Sequence, residues 1–418
     1  MLQQDAVGSR GIERVRARVS LLLLLGVSLG STGLIISMTV TALVAESIMG
    51  DPIWSGVPVA ALVLGTAVGT SLLSVAMTRW GRRRGLILFY AIAAAGGLVA
   101  CAATVVASLP FLISSVFVVG VGNSANALTR YVAADLSTLE RRAAAVGWIV
   151  WSGTVGAMVG PNLLAPSDRV GVALGLPQLA GAYVVSALVF ASAAVLYLVF
   201  LRPDPSVLSV YTESETVASG VVTRKRIGLF RPPHVQMSIV ALVFGHAVMV
   251  LIMTMTPLHL RSAGHGLDVI GLVASSHIVG MFLLAPLTGY LVDRLGALPI
   301  IFAGQAVLLL SALGGIAVPA SRPIWTGAIL FALGLGWNLG FVAGSANLTR
   351  DVALGDRDWL QGRADSIVWV SAAVASLASS VLFSTVGFVG LGAIGAAVIL
   401  VSSSTIAVRR WILSQPAS

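Results

Sequence analysis

Twelve apolar runs, each long enough to cross a lipid bilayer, dominate this chain of 418 residues. A membrane-spanning helix needs about 20 mostly apolar residues in a row. Runs of that kind lie at 19–43, 55–78, 86–107, 110–133, 143–164, 177–200, 236–258, 268–292, 297–318, 324–347, 364–387 and 389–408. In hydrocarbon a helix satisfies its own backbone hydrogen bonds, and an open strand does not. The spacing therefore predicts an all-α membrane protein. Only 10% of residues are charged, against roughly 25% in soluble domains, and the mean hydropathy is +0.98. That leaves too little polar surface for a water-soluble enzyme. The first run is too long for the apolar core of a cleavable leader and is expected to be retained.

Charge placement sets the orientation. If the N-terminus is cytoplasmic, 22 of the 25 basic residues fall in inner loops and tails, and only Arg169, Arg261 and Arg322 lie outside. The positive-inside effect then predicts that both termini are cytoplasmic and that the chain sits in the cell membrane. The net charge of +9 follows from this asymmetry, so nucleic acid is not expected as a partner. Cys101 is the single cysteine, which excludes a disulfide framework and a thiolate metal cluster. No metal or other cofactor is expected.

The only long polar stretch divides the spans six and six. The expected organisation is an N-terminal tail at 1–18, a six-helix bundle at 19–200, a cytoplasmic linker at 201–235, a second bundle at 236–408 and a tail at 409–418. The two halves repeat each other. Ser124-Ala125-Asn126-Ala127-Leu128-Thr129-Arg130 is echoed by Ser345-Ala346-Asn347-Leu348-Thr349-Arg350, and Ile149-Val150-Trp151 by Ile367-Val368-Trp369. Duplicated six-helix halves are an architecture of secondary transporters, with the substrate near the midplane between them.

Two loops carry a more specific signal. Arg79-Trp80-Gly81-Arg82-Arg83-Arg84 follows the second span, and Gly289-Tyr290-Leu291-Val292-Asp293-Arg294-Leu295-Gly296 closes the eighth. Together they resemble the major facilitator superfamily signature Gly-x-Leu-x-Asp-Arg-x-Gly-Arg-Arg, the second copy matching its front and the first its back. Glycines permit close helix approach, and a carboxylate at this level caps a neighbouring helix or pairs with arginine. Asp293, Arg294, Gly289 and Gly296, with Arg79, Gly81, Arg82 and Arg83, are thus candidate gating residues. Thr78 stands where the family has Asp, so a charge-based latch is expected at Asp293–Arg294. The fifth span contains Gly156, Gly160 and Pro161, which resemble in part the helix-5 motif of the superfamily's drug:proton antiporters.

None of the 16 acidic residues falls in the middle of a span. His246 and His277 do, and each titratable group at such depth is a functional candidate. Met253 lies on the His246 face and Met281 on the His277 face, where flexible thioethers suit a wall that accepts varied apolar shapes. Asn338, and the repeat-mates Trp151 and Trp369, complete the candidate cavity. Arg130 is expected to reach the inner surface or to pair with Asp135.

These readings converge on a secondary active transporter moving a small, largely hydrophobic solute by alternating access. Proton-coupled efflux by a monomer is the expected mode, with the proton as coupling ion and the bilayer as surroundings. The alternative is a proton-coupled or facilitative importer of a small metabolite, kept open by the Ser/Thr series of the first span. More distant is a membrane sensor that transports nothing. A membrane-embedded enzyme is not expected, because no set of nucleophile, base and ligands gathers at one depth.

Overall fold

The computed structural model describes residues 2–50, 54, 56–208, 226–265 and 267–414. The first half contains α1 (Leu2–Met49), α2 (Gly56–Trp80), α3 (Arg82–Val105), α4 (Leu109–Asp135), α5 (Arg142–Asn162), the short α6 (Leu164–Ala173) and α7 (Ala180–Phe200). The second contains α8 (Pro233–Ser262), α9 (Leu267–Phe282), α10 (Ala285–Leu295), α11 (Ala297–Ala317), α12 (Pro323–Leu348) and α13 (Leu354–Ser414). Among the described residues, eleven helical stretches are long and apolar enough to cross a membrane. The one expected span not among these, 364–387, forms the first arm of α13, whose start is rich in charge. Gly387 breaks α13 at φ 67 and ψ −174, so the chain turns back and each arm exceeds the roughly 20 residues that a crossing needs.

Other differences from the sequence reading have local causes. No proline interrupts Leu2–Met49, and α1 runs as one helix through the segment expected to be a tail. The span expected at 268–292 is two helices, broken at Leu283–Leu284 just before Pro286. Proline lacks the N–H that would continue the ladder. The Met281 carbonyl beside the break accepts from Asn338 Nδ2 at 2.6 Å. Most of the expected linker, 209–225, lies outside the described residues.

Each half packs around its own core. In the first, Tyr90, Tyr183, Phe190 and Tyr197 are buried among α1, α3 and α7. The Ser/Thr series of α1 is spent here. Ser37 shares a hydrogen bond with Ser186 at 2.7 Å, Thr41 with Tyr183 at 2.8 Å, and Ser31 accepts from Asn126 at 3.1 Å. In the second half, α8, α11, α12 and the far part of α13 enclose Met249, Ile252, Leu308, Leu333 and Leu391. The halves meet along a seam where α2 packs on α13 and α5 packs on α10. Arg82, Arg142 and Arg357 gather around Asp135 at one end of this seam, the end rich in arginine.

Candidate functional site

The seam is closed at the arginine-rich end by charge. Arg82, at the start of α3, donates to Asp135 of α4 at 2.6 Å and to Asp358 of α13 at 3.1 Å. Asp135 gives its other oxygen to Arg357 of α13 at 3.2 Å. Two arginines and two aspartates from both halves thus neutralise one another while buried, which is how ionic groups survive away from water. Burial pushes the Asp358 carboxyl above its usual range, while Arg82 pulls it back.

A second ionic site lies further along α13, about two turns beyond Asp358. Arg130 of α4 donates to Asp365 of α13 at 2.5 Å and from Nε to Ser345 of α12 at 3.1 Å. The Tyr131 hydroxyl also donates to Asp365, at 2.9 Å. The expected pairing of Arg130 with Asp135 is therefore corrected. Asp135 is saturated by Arg82 and Arg357, and the shorter reach from Arg130 is across the seam to Asp365. Sequence reasoning passed over Asp365 because it stands at the edge of its span, yet only 1% of it is exposed.

The guanidinium of Arg130 lies 4.3 Å above the ring centroid of Phe341, a cation–π contact. Phe341 stacks on Trp337 at 4.4 Å. Trp337 Nε1 donates to His246 Nδ1 at 3.0 Å, and the His246 ring meets the edge of Trp369 at 5.5 Å. Indole only donates, so Nδ1 of His246 is the acceptor and its imidazole proton sits on Nε2. Phe282 packs against Trp337 at 6.1 Å. A continuous aromatic wall thus leads from the ionic site toward the middle of the second half.

The other candidate residues divide. Trp369 and His246 meet on this wall. Trp151 sits on the seam and turns its edge to Trp148 at 5.7 Å. Met253 and Met281 line the second-half core. Asn338 is fully buried, accepts from Thr288 at 2.6 Å and bridges the α9–α10 break. His277 Nδ1 donates to the Leu330 carbonyl at 2.9 Å, tying α9 to α12 within one half.

The expected latch also changes form. Asp293 caps α5 across the seam, accepting from the Ala143 and Ala144 amides at 3.0 and 2.8 Å, where the helix dipole favours a carboxylate. Arg294 is exposed and lies over the Tyr290 ring at 4.5 Å, so it does not complete an ion pair with Asp293. A Cβ at Gly289 would overlap the Ala143 carbonyl, which makes glycine necessary for this approach of α10 to α5. Gly296 ends α10 with φ 86. In the first copy the charge latch is present after all, through Arg82. Arg83 stays within its half, donating to the Leu198 carbonyl at 2.6 Å. Gly81 opens α3 at φ 87 beside Asp204, and Arg79 is exposed. Gly156 and Gly160 seat α5 against Ser31 and Ile35 of α1. The Pro161 side chain lies outside the described residues.

Among the described residues, the hydrogen bonds that join the halves all lie from the arginine-rich end to about the level of Asp365. Among the described residues, the halves are tied by hydrogen bonds at one end and not at the other.

The family model described as Major Facilitator Superfamily matches residues 21–355. An uncharacterised MFS-type transporter of Bacillus subtilis, YddS, is 32% identical over 361 residues, spanning 84% of this chain and 82% of its own. The riboflavin transporter RfnT of Brucella anthropi is 29% identical over 364 residues, spanning 86% and 87%. Among solved structures, the proton:xylose symporter XylE bound to a halogenated glucose superposes with a TM-score of 0.70 at 13% identity, covering 94% of this chain and 96% of that one. On a family match over most of its length and a fold that agrees, this chain belongs to the major facilitator superfamily and is a multi-pass membrane transporter rather than an enzyme.

Proposed function

We propose that this transporter exports a small, largely hydrophobic solute from the cytoplasm in exchange for protons, working as a monomer in the cell membrane. In this reading the arginine-rich end is cytoplasmic, as the 22 inner basic residues predict. The aromatic wall formed by Phe282, Trp337, Phe341, His246 and Trp369 carries the proposal. Aromatic faces that line one bundle beside its seam with the other bind flat apolar solutes by stacking and by burial. The wall offers no carboxylate to a strongly cationic nutrient, and its one arginine is already held by Asp365. Ionic ties between the halves then serve as the cytoplasmic gate, and rocking of one half on the other exposes the wall to either side.

Proton flux in inside-out membrane vesicles tests this reading. A pH-sensitive dye would report proton release on adding a flat, uncharged aromatic compound, and vesicles without the protein would give none. A second reading is uptake of a small metabolite. It is favoured by the riboflavin transporter among the relatives, since a flavin ring is flat and aromatic. Accumulation of riboflavin by whole cells, rather than its extrusion, would select it.

A further inference from the structure

Four aspartates hold the seam shut, and they are not equivalent. Asp135 uses one oxygen for Arg82 and the other for Arg357. Asp293 uses both oxygens on backbone amides of α5. Asp358 keeps an edge in water, its side chain 12% exposed. Asp365 differs from all three. Its Oδ1 accepts from both Arg130 and Tyr131, while its Oδ2 is buried without a hydrogen-bond partner. A bare carboxylate oxygen in a dry site costs free energy that a proton removes.

We propose that Asp365 carries the coupling proton, taken up at Oδ2, and that its neutralisation unlocks the arginine-rich end of the seam. This rests on the proton-coupled reading above. Protonation forms one O–H bond at Oδ2 and turns the Arg130–Asp365 ion pair into a weaker neutral contact. The proton comes from, and returns to, whichever aqueous side the seam faces.

Arg130 is equipped for that change. It keeps Ser345 Oγ at 3.1 Å, the Tyr131 hydroxyl at 3.0 Å, the Ala127 carbonyl and the face of Phe341. Its charge is therefore not stranded when Asp365 becomes neutral. The Phe341–Trp337–His246 wall begins at this same guanidinium, so a shift of Arg130 reaches the proposed solute site directly.

The other charged and titratable groups around Asp365 do not compete for the role. From α4 it faces Arg130 and Tyr131. From α12 the hydroxyl of Ser345 reaches Arg130 rather than Asp365, and α2 presents Thr70 and Ser71 to neighbouring Ser366. On α8, His246 lies beyond Trp369 and already accepts from indole at Nδ1. Arg82, Asp135, Arg357 and Asp358 form a separate cluster about two turns back along α13. His277 also has a buried free nitrogen, but its bond runs to Leu330 within one half, so a proton there changes no tie across the seam.

The test is infrared difference spectroscopy of the full chain in lipid, recorded between alkaline and acidic buffer. The wild type is expected to give a carboxylic-acid carbonyl band from a buried group, lost in Asp365→Asn and retained in Asp293→Asn. Asp365→Glu is expected to restore a band with a shifted midpoint, which separates loss of the group from loss of the fold. A wild type without such a band, or a band that survives in Asp365→Asn, would overturn the assignment. Dye-reported proton flux in vesicles is the separate check on coupling. Flux that persists unaltered in Asp365→Asn overturns this assignment alone, and a wild type without proton flux for any solute overturns the coupled reading itself.

Discussion

The two halves carry the same Ile-Val-Trp segment, and two residues before it the first half has Gly147 where the second has Asp365. The difference decides what each half contributes to the seam. At Gly147 the absent side chain lets α5 lie directly against the Ala285 carbonyl of α10. At Asp365 the side chain reaches over to Arg130. The arginines repeat as well, yet Arg350, the mate of Arg130, is exposed, because the position that would answer it is a glycine. The loop copies diverge in the same sense, since Arg82 bridges carboxylates across the seam and Asp293 caps a helix. Duplication supplied two similar contacts, and divergence made one a charge-dependent tie and the other a steric fit.

The largest expected effect breaks the charged side of that comparison. Arg130→Ala leaves Asp365 buried with no cation, a change that costs about 3–5 kcal/mol in comparable pairs. Thermal unfolding should show the loss, and Arg130→Ala with Asp365→Ala should be more stable than Arg130→Ala alone. Arg82→Gln is expected to cost less, roughly 1–3 kcal/mol for a lost charged hydrogen bond. Asp135 retains Arg357, and the signature of this variant is faster opening of the arginine-rich end. On the other side of the comparison, Asp293→Asn keeps one acceptor for the α5 amides and should cost about 0.5–2 kcal/mol, the range for a helix cap. Its turnover should fall several-fold at unchanged membrane abundance, and unaltered turnover would remove the cap from the gate. Smallest is Arg79→Gln, an exposed site where changes stay within about 0.5 kcal/mol. A large loss of transport there would mean that the loop works through its net charge rather than through Arg82.

Much of this architecture is legible in the sequence because hydrophobic length and arginine placement are local properties. The apolar runs, the six-and-six division and the repeat need no knowledge of what touches what. The helix-5 glycines and the α10 loop are legible for the same reason, since small residues announce close approach. Pairings across the seam are not local. Arg130 and Asp365 are separated by 235 positions, and each looks like an ordinary charge at a span end until the halves are docked. A signal was present even so, because comparison of the repeat-mates Gly147 and Asp365 exposes a carboxylate added to one copy only. His246 shows what depth alone leaves out. Its depth marks it as a proton site, but only the geometry reveals that indole holds Nδ1.

The central claim is that charge shuts one end of the seam and that releasing it lets the halves rock. Electron-spin distance measurements on the full chain in lipid, with Cys101→Ser as background, test it most directly. One label pair would replace exposed Trp80 and Leu295 at the arginine-rich end, and another Met158 and Leu272 at the opposite end. Acidification is expected to lengthen the 80–295 distance and shorten the 158–272 distance together, with Asp365→Asn holding the long 80–295 distance at every pH. Two distances that ignore pH in a preparation that still exchanges protons for solute would contradict the account.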